Sequence, residues 1–413
     1  MMSQINEPKP TNALKESNST QSVSNYFSDY WRRIKTGDLG SWPIFFGLMV
    51  IVIIFQTQNE NYLTPRNFVN LFVQMAGITV IAIGVVYVLL LGEIDLSIGY
   101  VSAVAAVFMT LRLRPPNSWY WIAAIIAALG VVALIGILQG TIITKFRLPS
   151  FIVTLAGFLV WNGVVLIMIG SGGTVIVQDE IVIGIANYFL PTMLGWFLAI
   201  ALVVLYAVNR LLGWRGRKQR GVSKTPLAIV IAQIVIVALI VGFVTYIANQ
   251  DRGIPFVVVL LLVLLVGFTF LAERTRFGRY VYAIGGSAEA ARRAGINVDR
   301  IKIYVFMISS IMAGMGGIVL ASRLRSVDTS AGGGNLMLNS IAAAVIGGTS
   351  LFGGRGRVIS AFIGALVIAS VENGMGLLGL SSGVKFVITG LVLLLAVLVD
   401  AITRRGRSQS GTA

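Results

Sequence analysis

Residues 227–302 read LAIVIAQIVIVALIVGFVTYIANQDRGIPFVVVLLLVLLVGFTFLAERTRFGRYVYAIGGSAEAARRAGINVDRIK. Two runs within this stretch, 227–248 and 255–272, carry no charged residue. Each approaches the roughly 20 apolar residues that a helix needs to cross a bilayer. The polar stretch 273–302 that follows is rich in Arg and is punctuated by Gly285, Gly286 and Gly295. Apolar helix, short turn, apolar helix and a long basic connection make up the pattern of a polytopic membrane protein.

The same pattern extends in both directions. Further spans are expected at 42–57, 68–91, 96–112, 119–144, 150–170, 187–208, 303–322, 358–376 and 383–401, with a shorter, glycine-broken stretch at 336–352. The fold class is therefore all-α, a helical membrane protein of about ten to twelve segments. Apolar residues make up 56% of the 413, charged residues 12%, and the mean hydropathy is +0.87. A soluble domain needs about a quarter of its residues charged, so the surface here faces lipid. No secretory signal peptide is expected in the polar residues 1–40.

The net charge of +16 comes from clusters, not from a basic stripe suited to nucleic acid. Trp31–Lys35, residues 210–224, residues 273–302 and the tail at Arg404, Arg405 and Arg407 hold much of it. Such clusters stay on the cytoplasmic side of a membrane. Placing all four there requires even numbers of spans between them, so 336–352 is expected to cross and both termini to be cytoplasmic. The chain then divides into a polar tail (1–40), a transmembrane domain (41–403) and a short tail (404–413). Within the domain, halves at about 41–209 and 226–403 flank a basic linker, 210–225, whose charges suit anionic lipid headgroups.

The chain has no Cys and no His, which removes thiolate and imidazole chemistry and His/Cys metal ligation. No metal site, cofactor site or paired catalytic constellation is apparent, and a membrane-embedded enzyme is disfavoured. Pro43, Pro149, Pro226 and Pro255 mark helix starts. Small-residue runs such as Gly314–Gly317 and Gly364 are suited to close helix packing in lipid. Residues 82–107 and 342–367 are loosely alike. Each is an apolar helix, a glycine-punctuated polar break and a second helix rich in small residues, a pattern associated with transport pathways.

Several residues could line such a pathway. Glu93, Asp95 and Ser97 lie in GEIDLSIG, either at a broken helix within the membrane or at an interfacial turn where Asp95 or Ser97 caps the next helix. Trp161 and Asn162 fall mid-span, and Asn339, Glu372 and Asn373 lie near span ends; amides and carboxylates recognise hydroxyl groups, but they also join neighbouring helices. In the long polar connection, Ser287–Arg293 reads as a short capped helix. Ser287 is the cap, Glu289 favours its N-terminus, Arg292 and Arg293 its C-terminus, and Gly295 the stop. It is suited to docking on another protein.

The spacing Glu289–Ala290–Ala291 followed by Gly295 resembles the loop by which permeases of ATP-binding-cassette importers engage their ATPases. AIGGSAEAARRAGINVDRIK, PSFIVTLAGF (149–158), GEIDLSIG (92–99) and AAAVIGGTSLFGGRGRV (342–358) together resemble the ribose/xylose class of bacterial monosaccharide permeases. WRGRKQR (214–220) and DRGIP (251–255) are most similar to its xylose-type branch. One departure is that no Leu-Pro follows Gly295. The resemblance implies the importer-permease fold and inner-membrane import of a monosaccharide, most readily D-xylose or a related pentose. Coupling residues would be Glu289, Ala290, Ala291, Arg292 and Gly295. Implied partners are a second permease chain, a cytoplasmic ATPase and a periplasmic or lipid-anchored sugar-binding protein. This sequence has no G-x-x-x-x-G-K-[ST] phosphate loop, so the ATPase is expected on another polypeptide. An ion-coupled transporter using Glu93, Asp95 or Glu372 is the alternative.

Overall fold

The computed structural model describes residues 42–220, 225–392, 394 and 398. The polar tails, the basic clusters at Trp31–Lys35 and Arg404–Arg407, and Lys224 lie outside the described residues.

The chain is helical almost throughout. In order come α1 (Trp42–Gln58), α2 (Pro65–Leu90), α3 (Ile98–Leu113), α4 (Trp121–Lys145), α5 (Ser150–Ile169), α6 (Glu180–Asn187) and α7 (Thr192–Gln219). Then follow α8 (Leu227–Asn249), α9 (Phe256–Arg274), α10 (Arg276–Gly286), α11 (Ala288–Arg293), α12 (Val298–Leu324), α13 (Leu336–Ile346), α14 (Ile359–Leu377) and α15 (Ser382–Val392). Two three-residue strands, β1 (Thr174–Ile176) and β2 (Ser326–Asp328), pair antiparallel with Val175 opposite Val327. Among the described residues, eight helices (α2, α4, α5, α7, α8, α9, α12 and α14) are long and apolar enough to cross a bilayer, and α1, α3, α13 and α15 are shorter apolar helices.

Burial sorts these helices into two kinds. The most apolar window of α2 is 94% buried and that of α8 only 6%, so α2 runs through the centre while α8 faces lipid. The glycines of α12 explain how it packs beside α2. Gly314 faces Val132 of α4 and Ala105 of α3, Gly316 faces Ile81 of α2, and Gly317 lies on the backbone of Ser102 in α3. Three neighbours thus approach one helix within a single turn, because small residues admit the close backbone contact that holds helices together in lipid. Gly364 of α14 meets Ala343 of α13 in the same way.

One stretch differs from its expected form, and a second carries a helix beyond the one expected. The basic residues 210–219 are not a linker loop; they continue α7, whose 28 residues reach about 42 Å at 1.5 Å per residue. Lys218 lies over the ring of Trp214, and Arg210 donates to Gln233 of α8. The polar stretch 273–302 is likewise ordered into α10, α11 and the first turn of α12. Pro149, Pro226 and Pro255 stand at the N-cap positions of α5, α8 and α9.

Replacing Gly317 by Leu drives a side chain into Ser102, whereas Gly242 of α8 has nothing within 4 Å of an added Cβ. Gly317→Leu is expected to abolish recovery of monodisperse protein from detergent, and Gly242→Leu to leave the melting temperature within a few degrees, as checked by size exclusion and thermal fluorescence.

Candidate transport site and coupling helix

Between α2 and α3 the chain abandons helical structure at Gly92–Ser97. Backbone that leaves a helix loses its intrahelical hydrogen bonds and must find other partners. The partners come from α5: Ser150 Oγ accepts from the Ile94 amide at 3.1 Å, and Thr154 Oγ1 from the Leu96 amide at 3.1 Å. Asp95 turns inward and is buried. Its Oδ1 accepts from the Ser97 amide and hydroxyl at 3.0 and 2.7 Å, and its Oδ2 from Ser309 of α12 at 3.0 Å. Ser97 also lies 3.1 Å from Gln139 Oε1 of α4. Glu93 pairs with Lys302 in the first turns of α12. The Glu93, Asp95 and Ser97 set therefore lies in the non-helical segment between α2 and α3, which is fastened to α4, α5 and α12. Ser97 is the N-cap residue of α3 but makes no capping hydrogen bond there.

The second break, Gly347–Val358, separates α13 from α14 and packs on the first. The Gly354 amide donates to Leu90 O at 2.9 Å, and Gly353 abuts Gly92. The end of α10 closes this junction. A Cβ at Gly285 would collide with Leu90 O and Gly354 N, so only glycine allows three chain segments to meet there. Tyr282 of α10 donates to Gly356 O at 2.8 Å. α13, only 11 residues long, covers about half a bilayer. The non-helical residues 329–335 connect β2 to it.

Next to the junction stands α11. Ser287 Oγ accepts from the Ala290 amide at 3.2 Å, the capping bond expected from the sequence, and Gly295 takes φ +83° after the last turn. Ala291 is buried against the core, while Glu289, Ala290, Arg292 and Gly295 are exposed. Glu289 pairs with Arg293, and Arg292 lies 3.7 Å from Asp299. The helix is anchored on one face and open on the other.

Asn339, Glu372 and Asn373 come together elsewhere, in a cavity of about 540 Å³ among α2, α12, α13, α14 and α15. Asn339 donates to Glu372. Asn67 and Asn373 exchange amide hydrogen bonds of 2.7 and 2.9 Å, and Gln74 joins them at 3.3 Å. The α2 residues Asn67, Asn70 and Gln74 recur at i, i+3 and i+7, a helical-face spacing that marks them in the sequence; Arg323 directly follows the apolar run 303–322 and carries no such mark. Trp161 and Asn162 do not join this cavity. They sit half-buried on α5, with the Trp161 indole alongside the Gln139 amide that fills the space beside Gly157.

Residues 67–397 match the sequence model of the family described as branched-chain amino acid transport system / permease component. The chain belongs to this family. It is 37% identical over 385 residues to the xylose transport system permease protein of Escherichia coli (strain K12), which covers 90% of this chain and 94% of that one. Its identity to the xylose transport system permease protein of Haemophilus influenzae is 34% over 377 residues (90% and 99%). To the ribose import permease protein of E. coli (strain K12) it is 31% over 388 residues (92% and 98%). No solved structure gives a significant match. The chain is thus a multi-pass membrane permease of the family that includes the xylose and ribose permeases.

The Glu93–Lys302 pair is largely shielded, with side-chain exposures of 17% and 21%. A double-mutant cycle with Glu93→Gln and Lys302→Met is expected to show a coupling of about 1–3 kcal/mol in unfolding or thermal-shift measurements. Independent effects of the two substitutions would show that the pair does not act as a fastening.

Proposed function

We propose that this chain is the membrane-spanning subunit of an ATP-driven importer of a monosaccharide, most readily D-xylose or a related pentose. The observation that carries the reading is the contact of the α10–α11 unit with both helix breaks at Gly285. A partner that moved α11 would move the two interrupted segments together, because the close fit at Gly92, Gly285 and Gly354 leaves no slack between them. Glu289, Ala290, Ala291, Arg292 and Gly295 would form the surface that engages a separate ATPase. Alternating access would follow from rocking of the segments joined at this junction.

The reading also fixes an orientation. The end carrying α10 and α11 gathers Lys145, Arg217, Arg276, Arg279, Arg300 and Arg355, and a cytoplasmic side enriched in Lys and Arg is the rule for inner-membrane proteins. Both termini would then be cytoplasmic. β1, β2 and the mouth of the polar cavity would face outward, toward a sugar-binding protein. A second copy of the chain would complete the pathway. Asn339, Glu372 and Asn373 would line it, while Glu93, Asp95 and Ser97 would hold its hinge. The two halves, 41–209 and 226–403, would each contribute one interrupted helix pair. The pentose assignment draws support from the xylose and ribose permeases among the relatives.

The test is uptake of D-xylose into vesicles containing this chain, its ATPase and its binding protein. Uptake is expected only with ATP present and to persist when ion gradients are collapsed; uptake lost with the gradient would overturn the proposal. Two substitutions separate docking from transmission. Glu289→Arg is expected to lower ATPase association at least tenfold. Gly285→Val is expected to preserve association and abolish uptake.

A further inference from the structure

The polar cavity has more groups than helix packing uses. Asn67, Gln74 and Asn373 are occupied with one another, and the Asn339 amide is held by Glu372. Asn70 and Arg323 also line the cavity, and among the described residues neither makes a hydrogen bond or a salt bridge. Asn339 is 2% exposed, yet its Oδ1 has no partner among the described residues. A buried polar group without a partner costs about 1–3 kcal/mol, and a charge at membrane depth costs about 2.5 kcal/mol or more. The Asn339 oxygen is one such group, and it shares the space with the side chains of Asn70 and of Arg323, whose charge faces that of Glu372, so the cavity offers a ligand several hydrogen-bonding groups.

The chemistry of the occupant follows from the walls. Donors from Asn70, Arg323 and Lys385 face acceptors on Glu372 and the asparagines, so the ligand must both donate and accept along much of its surface. Vicinal hydroxyls do this. Ile78, Leu320 and Phe386 supply apolar patches on which the C–H face of a sugar ring can lie. The volume of about 540 Å³ is within the ~300–1,000 Å³ of small-molecule sites. It has room for one monosaccharide and its water.

We infer that this cavity binds a single neutral sugar ring and that Asn70 and Arg323 determine which sugar is accepted. The permease would then select its substrate, a role a weakly lined conduit leaves entirely to the external binding protein. The inference rests on the sugar-permease reading for the identity of the cargo, and its test separates the two.

The experiment is equilibrium binding of radiolabelled D-xylose, D-ribose and L-leucine to the full chain in lipid nanodiscs, with no binding protein present. ATP-driven sugar uptake by the assembled importer is measured in parallel. Saturable sugar binding is expected, weakened at least fivefold by Asn70→Ala and by Arg323→Gln and unchanged by Arg217→Gln on the exposed end of α7. Asn70→Gln serves where Asn70→Ala does not yield monodisperse protein, and is expected to alter the preference between the two pentoses. Absence of saturable sugar binding, or equal binding by all variants, would overturn the site while uptake upheld the permease reading. Binding of leucine in preference to either sugar, with no sugar uptake, would overturn both.

Discussion

A break in a helix leaves backbone amides without their intrahelical partners, and the architecture of this protein is arranged around that constraint. Where α2 ends and α3 has not begun, the amides of Ile94, Leu96 and Ser97 must find partners elsewhere in the chain. Ser150 and Thr154 of α5 and the carboxylate of Asp95 satisfy them. Each partner serves a second purpose. The α5 hydroxyls tie the break to a lipid-facing helix, and Asp95 ties it to Ser309 in the central helix α12. Unpaired backbone costs several kcal/mol per group in hydrocarbon, so these bonds cannot be relaxed singly. A segment held this way moves with its neighbours or not at all, which makes an interrupted helix useful as a hinge.

The second break meets the first through backbone alone, and α10 reaches the junction by way of a glycine. Side-chain contacts yield to rotamer changes; backbone in contact with backbone does not. The short helix α11 thus stands at the end of a stiff connection, with one buried residue, Ala291, beneath it and polar side chains directed away from the protein.

Much of the fold was legible in the sequence because a membrane span is a local property. Each apolar run announces itself without its neighbours, and the capping of α11 by Ser287 was readable from four residues. Which spans lie at the centre was not readable. The most apolar windows of α2 and of the helix beginning at Ser150 have the same mean hydropathy of 2.3, yet one is 94% buried and the other 22%. Lipid is as apolar as a protein core, so composition cannot separate the two environments. The site divides in the same way. Asn67, Asn70 and Gln74 share a helical face and could have been found by spacing. The bond of Ser97 to Gln139, 42 residues on, and of Asp95 to Ser309, 214 residues on, depends on packing that no local pattern encodes. The basic residues after Arg210 were read as a loop because charge signals the membrane boundary but not where a helix stops.

The amide pair joining Asn67 to Asn373 spans 306 residues of sequence. At a synthesis rate of about 5–20 residues per second, α2 leaves the ribosome roughly 15–60 s before the helix that completes its polar face. During that interval the most deeply buried helix of the finished protein is a nascent segment with three amides on one side and no mate. Until α14 arrives, Asn67 has only the nearby carbonyl of Tyr62 to bond to. The polar stripe of the mature cavity is therefore among the last features of the chain to be completed.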